Sequence, residues 1–177
     1  MKNFLWVAAL IGLAACSSSD EKKVDANTLT STSFEEIAGW GVDMGTLSRE
    51  RAHTGVYALK VDNAHDFSLT YDVVVGQVSP RKIKKINVHG WVFLPSTNTN
   101  AILGLQVTDP SQDNKAIWGD GIKMDEAVKD YNKWVEVSKD MEMPAELAPT
   151  HHLKMYLWRA GAIDPVYADD LSIQVIE

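Results

Sequence analysis

Cys16 is the only cysteine in this chain of 177 residues, and the residues before it determine the chemistry of its thiol. An apolar run from Phe4 to Leu13 precedes it, and Lys2 stands near the start. This run of about ten residues is shorter than the roughly 20 that cross a bilayer. A charged start, an apolar middle and a small-residue end are typical of a secretory signal peptide.

Residues 13–16 read Leu-Ala-Ala-Cys, an ending that resembles the lipobox of bacterial lipoproteins. In that family the peptide is cut before the cysteine, which then carries a diacylglyceryl group and an acylated amino group. The resemblance implies a signal peptide at 1–15 and a lipidated Cys16. Three acyl chains, at about 0.8 kcal/mol per buried CH₂, would hold the chain firmly on a membrane that it does not span. The alternative is an ordinary signal peptide followed by an unmodified cysteine.

The envelope of a bacterium is the location that this resemblance implies, with the outer membrane favoured. Asp20 and Glu21, close behind the cysteine, resemble the export signals of some surface lipoproteins, although a solvated linker would look the same. The segment 16–33 is rich in Ser, Thr, Asp, Glu and Lys, and it predicts a flexible tether. The folded domain is then expected at 34–177.

Composition excludes several classes of function. Without residues 1–15 the chain keeps 162 residues and a net charge of −8, enough for one domain and the wrong sign for nucleic acid. No cysteine would remain for a disulfide, so the core must stabilise the fold by itself. No second apolar stretch is long enough to cross a membrane, which leaves the lipid anchor as the expected attachment.

Short runs rich in β-branched and aromatic residues follow the tether, separated by Gly, Pro, Asn and Asp. They predict strands at Met44–Ser48, Val56–Val61, Phe67–Val75, Lys85–Leu94, Ala101–Thr108, Lys133–Lys139, Leu153–Trp158 and Tyr167–Ile176. Phe67, Leu69 and Tyr71 alternate with polar residues, which indicates a half-buried strand. Only Met124–Asp130 has helical character. The sequence therefore predicts an all-β, two-sheet antiparallel β-sandwich.

Several segments in order carry a second resemblance. The chain reads Phe-Glu at 34–35, Ala-His-Thr-Gly at 52–55, Tyr-Ala-Leu-Lys-Val at 57–61, Trp-Val-Phe-Leu-Pro at 91–95, Trp-Val-Glu-Val-Ser at 134–138, Met-Tyr-Leu-Trp at 155–158 and Tyr-Ala-Asp-Asp-Leu-Ser-Ile at 167–173. This succession resembles the galactose-binding-like jelly roll, the fold of many carbohydrate-binding modules. The resemblance covers 34–177 and implies the fold more specifically than it implies sugar binding.

A structural Ca²⁺ is the cofactor that this resemblance implies. Its ligands would be Glu35, Asp169 and a backbone carbonyl near His53, because the first and last strands of a jelly roll are neighbours. Ca²⁺ takes six to eight oxygen ligands, carbonyls included. The alternative is that these acids are solvated or hydrogen-bonded at strand ends.

Aromatic and polar residues share one face of two predicted strands, and aliphatic residues share the other. The mixed faces carry His89 and Trp91 on one strand and Tyr156 and Trp158 on the other, and Gln106 could join them. A concave sheet with these side chains would suit an oligosaccharide, whose C–H faces stack on aromatic rings. Packing within the sandwich explains Trp91 and Trp158 more simply than ligand binding does.

Trp118 stands in a polar, Gly-rich stretch that predicts a loop, where it would be a ligand platform or a plug over the core.

Signals for catalysis are weak. The Glu-x-Asp-x-x-Glu run of jelly-roll glycosidases and the Gly-x-Ser-x-Gly motif of hydrolases are both missing. The sequence therefore predicts an envelope-anchored lipoprotein with a noncatalytic module that binds a glycan or polysaccharide. The alternative is a structural or assembly subunit whose same face is covered by an envelope protein partner.

Overall fold

The computed structural model describes residues 26–41 and 43–177. The predicted signal peptide, Cys16 and the first part of the predicted tether lie outside these residues. Within the described part of the chain, no helix is long and apolar enough to span a membrane.

Ten strands and two short helices make up the domain. The strands are β1 (Thr28–Thr32), β2 (Leu47–Ser48), β3 (Ala58–Val61), β4 (Tyr71–Val74), β5 (Lys85–Phe93), β6 (Ile102–Asp109), β7 (Lys115–Lys123), β8 (Trp134–Glu142), β9 (His152–Trp158) and β10 (Val166–Val175). Single helical turns are α1 (Val75–Val78) and α2 (Met124–Ala127), and Met44–Thr46 and Pro110–Gln112 are 3₁₀ turns.

The strands form two antiparallel sheets that pack face to face. Sheet A has the order β2-β3-β10-β5-β8, with β1 also paired to β10, and sheet B has the order β4-β9-β6-β7. Every second residue of β5 and β9 is buried between the sheets, as the period of two requires; examples are Val88 and Val92 in β5 and Met155 and Leu157 in β9. The all-β, two-sheet jelly-roll prediction is confirmed.

Two strands lie where the sequence pattern predicts none. β1 lies within the predicted tether, yet Thr28–Thr32 pairs with β10, so the tether prediction is wrong for these residues. Its Thr-rich sequence resembles a linker, but β-branched threonine suits a partly exposed strand. β7 is a nine-residue strand on the edge of sheet B, where the pattern predicts a loop. Its glycines and exposed polar residues hide the alternation that burial imposes on a strand.

The first and last strands are neighbours, as expected of a jelly roll: Thr32 of β1 lies opposite Leu171 of β10. Strand β10 also pairs with β3 and β5, so this central strand of sheet A holds β1, β3 and β5 together. The outer faces of the two sheets are the surfaces left for binding.

Candidate functional site

Three strands of sheet B bring a row of small residues beneath two aromatic rings. Gly104 of β6 lies opposite Tyr156 of β9 on one side and Gly121 of β7 on the other. One step along the strands, Ile102 lies opposite Trp158. Because directly opposed residues point to the same face of a sheet, these side chains share the outer face of sheet B.

A groove of about 500 Å³ lies over this row, and we call it the sheet B groove. Its floor is Gly104, Gly119 and Gly121, of which Gly119 is exposed, Gly121 is half-buried and Gly104 is buried. A Cβ atom on Gly104 would stand 2.9 Å from Cε2 of Tyr156, so the glycine lets that ring lie close to the strand. The other lining residues are Ile102, Leu105, Gln106, Asp120, Lys123, Glu126, Lys139, Tyr156 and Trp158. The volume lies within the range of ordinary ligand clefts.

Three rings, exposed Phe67 and Trp158 and half-buried Tyr156, stand at one side of the groove, and we call them the aromatic shelf. The Phe67 and Trp158 rings are nearly parallel, with centroids 5.9 Å apart, and Phe67 meets Tyr156 edge-on at 5.6 Å. Phe67 is 51% exposed and Trp158 is 39% exposed. Rings of this size left open to solvent are the part of this surface best suited to stack on a ligand.

Sequence reasoning missed Phe67. Its alternation with Leu69 and Tyr71 predicts a shared buried face, but β4 begins only at Tyr71. Phe67 precedes that strand and forms an isolated backbone bridge with Trp158, the last residue of β9. Phe67 is recognised as part of the shelf only because it lies beside Trp158 in the fold, and a single sequence does not show that these two residues are close.

Paired charges form the wall opposite the shelf. Lys139 of β8 places Nζ 2.7 Å from Oδ1 of Asp120 and also donates to the carbonyl of Gly121, at 2.9 Å. Lys123 Nζ lies 3.0 Å from Oε1 of Glu126, and this bond raises the pKa of Lys123. Both carboxylates of the groove are therefore paired with lysines. The groove offers hydrogen-bonding groups without an excess of either charge.

Three predicted ligand residues lie together in the sheet B groove, namely Gln106, Tyr156 and Trp158. Burial raises the pKa of the Tyr156 phenol, so the hydroxyl keeps its proton and can donate a hydrogen bond at neutral pH. Gln106 lies opposite Gly119, which places its amide at the floor of the groove.

His89 and Trp91 do not join this group, because β5 belongs to sheet A. The Trp91 ring stacks on His53 with centroids 4.0 Å apart and planes 11° apart. His89 Nε2 lies 2.7 Å from Oε1 of Glu136 on the neighbouring strand β8. The prediction that one concave sheet carries all five residues is wrong, since the two strands lie in different sheets.

Trp118 lies on β7 and not on a loop, so that prediction is also wrong. It stands opposite Val107, whose side chain is buried between the sheets, and the indole is half-buried against the core. A bulge between Val107 and Thr108 shifts the register at this point. The structure therefore gives Trp118 a packing contact and leaves it out of the groove lining.

Glu35 and Asp169 approach the turn at 53–57 through backbone hydrogen bonds. Asp169 Oδ2 accepts bonds from the N–H groups of His53, at 2.7 Å, and Thr54, at 3.1 Å. Glu35 Oε1 accepts bonds from the N–H groups of Val56, at 2.7 Å, and Tyr57, at 2.9 Å, and these bonds lower its pKa. The two carboxylates hold this turn against the sandwich.

Asp169 is fully buried, and burial raises its pKa to about 6 against the opposing effect of three backbone N–H bonds. Its neighbour Asp170 accepts a bond from the Thr54 hydroxyl, at 2.6 Å, and lies 2.6 Å from Nδ1 of His53.

Across 26–41 and 43–177, no group of three or more His, Cys, Asp or Glu side chains is placed to bind a metal ion. Calcium therefore stays a prediction, with Glu35, Asp169 and the His53 carbonyl as its proposed ligands.

Comparison with solved structures shows the same fold. The xylan-binding CBM22-1 domain of Paenibacillus barcinonensis Xyn10C is similar with a TM-score of 0.56 and 20% identity, over 85% of this chain and 95% of that domain. The C-terminal family 22 carbohydrate-binding module of Clostridium thermocellum Xyn10B gives 0.55 and 15%, over 86% and 95%. A family 16 carbohydrate-binding module gives 0.53 and 15%, over 80% and 94%. No family model and no curated protein matches the sequence.

Proposed function

We propose that this protein is a lipid-anchored protein of the bacterial cell envelope whose jelly-roll domain binds a glycan, without catalysis, in the sheet B groove. The aromatic shelf beside a glycine floor carries this proposal. Pyranose rings have apolar C–H faces and polar edges, and the groove offers stacking surfaces and hydrogen-bonding groups side by side. The similarity to carbohydrate-binding modules supports the same class of ligand.

The paired charges support a binding role over a catalytic one. Glycoside hydrolysis needs an acid and a second carboxylate about 5–10 Å apart across the scissile bond. Asp120 is paired with Lys139 and Glu126 with Lys123. Both acidic residues of the groove lining are therefore engaged by lysines, and the lining holds no other carboxylate for either catalytic role.

Retention on immobilised polysaccharides tests the binding proposal. Xylan and a panel of other neutral and acidic polysaccharides are cast into native gels, and the mobility of the full chain is measured. Gly119→Leu fills the floor of the groove at a position where a Cβ atom meets nothing closer than 3.5 Å, so it should abolish retention and leave the fold intact. Gln174→Leu places the same side chain on the exposed face of sheet A and should leave retention unchanged.

Two outcomes would contradict the proposal. Equal retention of the two variants would exclude the sheet B groove as the binding site. A parent chain that no polysaccharide retards would favour the structural-subunit alternative, in which an envelope protein covers the aromatic shelf.

The lipid anchor is tested separately, because its support is the Leu-Ala-Ala-Cys sequence and not the groove. Labelled palmitate should be incorporated into the parent chain, and Cys16→Ser should abolish incorporation and leave an unprocessed precursor. A variant that still labels and matures would contradict lipidation at Cys16 and leave the glycan-binding proposal untouched.

A further inference from the structure

Three cations lie at one end of the sandwich without an acidic partner among residues 26–41 and 43–177, and we call them the Arg81 cluster: Arg81, Lys82 and Lys84. All three are exposed, and buried Ile83 between the lysines anchors the segment. No ion pair of the described residues includes any of the three. Lys85, next along the chain, is different, because its Nζ lies 3.5 Å from Asp140 and 3.7 Å from Glu142.

The described chain begins beside this cluster. Arg81 Nη2 donates to Oδ1 of Asn27 at 3.0 Å, and the carbonyl of Asn27 accepts a bond from the N–H of Val175. Cys16 precedes Asn27 by eleven residues, which extend at most about 40 Å in any conformation. A lipid on Cys16 would therefore limit the distance between Asn27, beside the Arg81 cluster, and the membrane to about 40 Å.

Apolar surface accompanies the cations. Ile176 is 44% exposed and, with Arg81 and Lys82, lines a hollow of about 210 Å³. A second hollow of about 140 Å³ lies on the other side of the same two cations, between Pro80 and Pro149. Exposed cations beside exposed apolar side chains are the combination that interfacial membrane surfaces share. Glu146 and Glu177 are the exposed acids nearby, and neither is paired with the cluster.

The sheet B groove opens toward the opposite end. Strand β9 begins at His152, which lies opposite Val74 just before α1 and the Arg81 segment. It ends at Trp158, on the aromatic shelf. The long strand β10 of sheet A gives the scale of the sandwich, since its ten residues span about 30 Å. A domain that rests on the cluster would hold the shelf away from the membrane.

We propose that the Arg81 cluster docks on anionic phospholipid headgroups, so that the domain stands on its membrane with the sheet B groove facing outward. This inference rests on the lipid anchor of the proposed function, and it does not depend on the identity of the glycan. The net charge of the whole chain opposes adsorption, but screening limits each charge to about 8–10 Å at physiological salt. The local cations therefore decide which end faces the lipid.

Amine labelling in vesicles tests this orientation. The full chain, as the cell produces it, is reconstituted into phosphatidylcholine vesicles with or without phosphatidylglycerol. Lysines are then modified with an amine-reactive reagent and quantified by mass spectrometry. Phosphatidylglycerol should lower labelling of Lys82 and Lys84 severalfold, and should not change Lys129 and Lys133, which are exposed at the opposite end. About 1 M salt shortens the screening length to about 3 Å and should remove the protection.

Matched variants sharpen the test. Arg81→Gln removes one cation of the cluster and should reduce the ratio of docked to undocked domain about fivefold, the effect of one basic residue near an anionic membrane. Lys129→Gln makes the same change in net charge and should leave the ratio unchanged.

Four outcomes would overturn the proposal. In vesicles these are unchanged labelling of Lys82 and Lys84 when phosphatidylglycerol is present, equal protection of these lysines in pure phosphatidylcholine, and protection of Lys129 and Lys133 instead. The fourth is protection of Lys82 and Lys84 in cells but not in vesicles, which would indicate a protein partner. A chain that fails to float with phosphatidylcholine vesicles would overturn the anchor and the docking together. Retention on polysaccharide gels would still report on the groove alone.

Discussion

Trp91 and Trp158 occupy outer faces of the two sheets, and each indole has one ring face covered by another ring. Trp91 stacks on His53 at 4.0 Å between centroids, and Trp158 stacks on Phe67 at 5.9 Å. The sequence gives these tryptophans the same two interpretations, packing or ligand binding. The residues on which the two indoles stack, His53 and Phe67, show which interpretation applies to each.

His53 is fixed from two sides, whereas Phe67 is not. The backbone N–H of His53 donates to buried Asp169, and its ring lies against Asp170. Phe67 has a backbone bridge and ring contacts, and half of it remains exposed. The sheet A aromatics are therefore part of the framework, and the sheet B aromatics form an open surface. An exposed aromatic ring indicates a binding site only when neighbouring residues do not already hold it in place as part of the framework.

The largest expected effect comes from removing each indole. Trp91→Ala should lower the free energy of unfolding by at most about 3 kcal/mol, the lower limit for a fully buried aromatic side chain, because the indole is half-buried, and it should leave polysaccharide retention unchanged. Trp158→Ala should lower that free energy by less than about 1 kcal/mol, because the ring is exposed, and weaken glycan affinity about tenfold or more, equivalent to about 1.4 kcal/mol. Chemical denaturation and affinity electrophoresis measure the two quantities. The comparison fails if Trp91→Ala weakens retention or if Trp158→Ala is the more destabilising change.

The next largest expected effect is the loss of stability when Ca²⁺ is removed, and it concerns only the residues beside sheet A. If Glu35 and Asp169 bind Ca²⁺, saturation at a hundred times Kd stabilises the domain by about 2.7 kcal/mol, and chelator lowers Tm by several degrees. Glu35→Gln should then remove the response to chelator, whereas the exposed control Glu36→Gln should keep it. Identical melting curves with and without chelator, and no bound metal by elemental analysis, would leave the carboxylates with the hydrogen bonds to the 53–57 turn as their only role.

The titration of Asp169 gives a smaller effect of defined sign. Its pKa of about 6 in the fold lies above the ordinary aspartic acid pKa of 3.8, so the folded state binds the proton more tightly than the unfolded state. Stability from this group is fully present below pH 3.8 and is lost as the pH rises through 6. With chelator present, the destabilisation caused by Asp169→Asn should be about 1–2 kcal/mol larger near pH 4.5 than near pH 7.5. A cost that grows with pH would mean that the three N–H bonds outweigh burial and keep the carboxylate ionised.

The sequence predicts much of the fold, because burial between two sheets imposes a period of two that is visible in β5, β9 and β10. It fails where one side of a strand is weakly buried: β1 looks like a linker, and β7 looks like a loop. Lipidation at Cys16 lies outside the described residues and stays a prediction.

The candidate site is only partly predictable for a different reason. Tyr156, Trp158 and Gln106 follow from alternation along two strands that happen to be neighbours in sheet B. His89 and Trp91 show the same alternation along their strand but lie in the other sheet. Alternation within a strand does not reveal which sheet the strand joins. Phe67 reaches the shelf through a bridge between segments 91 residues apart, and only the folded chain reveals it.

The smallest predicted effect tests the shelf itself. Phe67→Leu keeps an apolar side chain behind Trp158 and removes the ring pair, which contributes no more than about 0.5 kcal/mol, the low end for aromatic pairs, because both rings are exposed. If Phe67 sets the orientation of the Trp158 indole for a ligand, glycan affinity should fall two- to fivefold and the free energy of unfolding should change by less than about 0.5 kcal/mol. Val56→Ala is the matched control, since Val56 is also 51% exposed but lies on the turn beside His53. Affinity should be unchanged in that variant. If both variants bind like the parent, Phe67 is an exposed residue with no part in recognition, and Trp158 and Tyr156 alone provide the stacking surface.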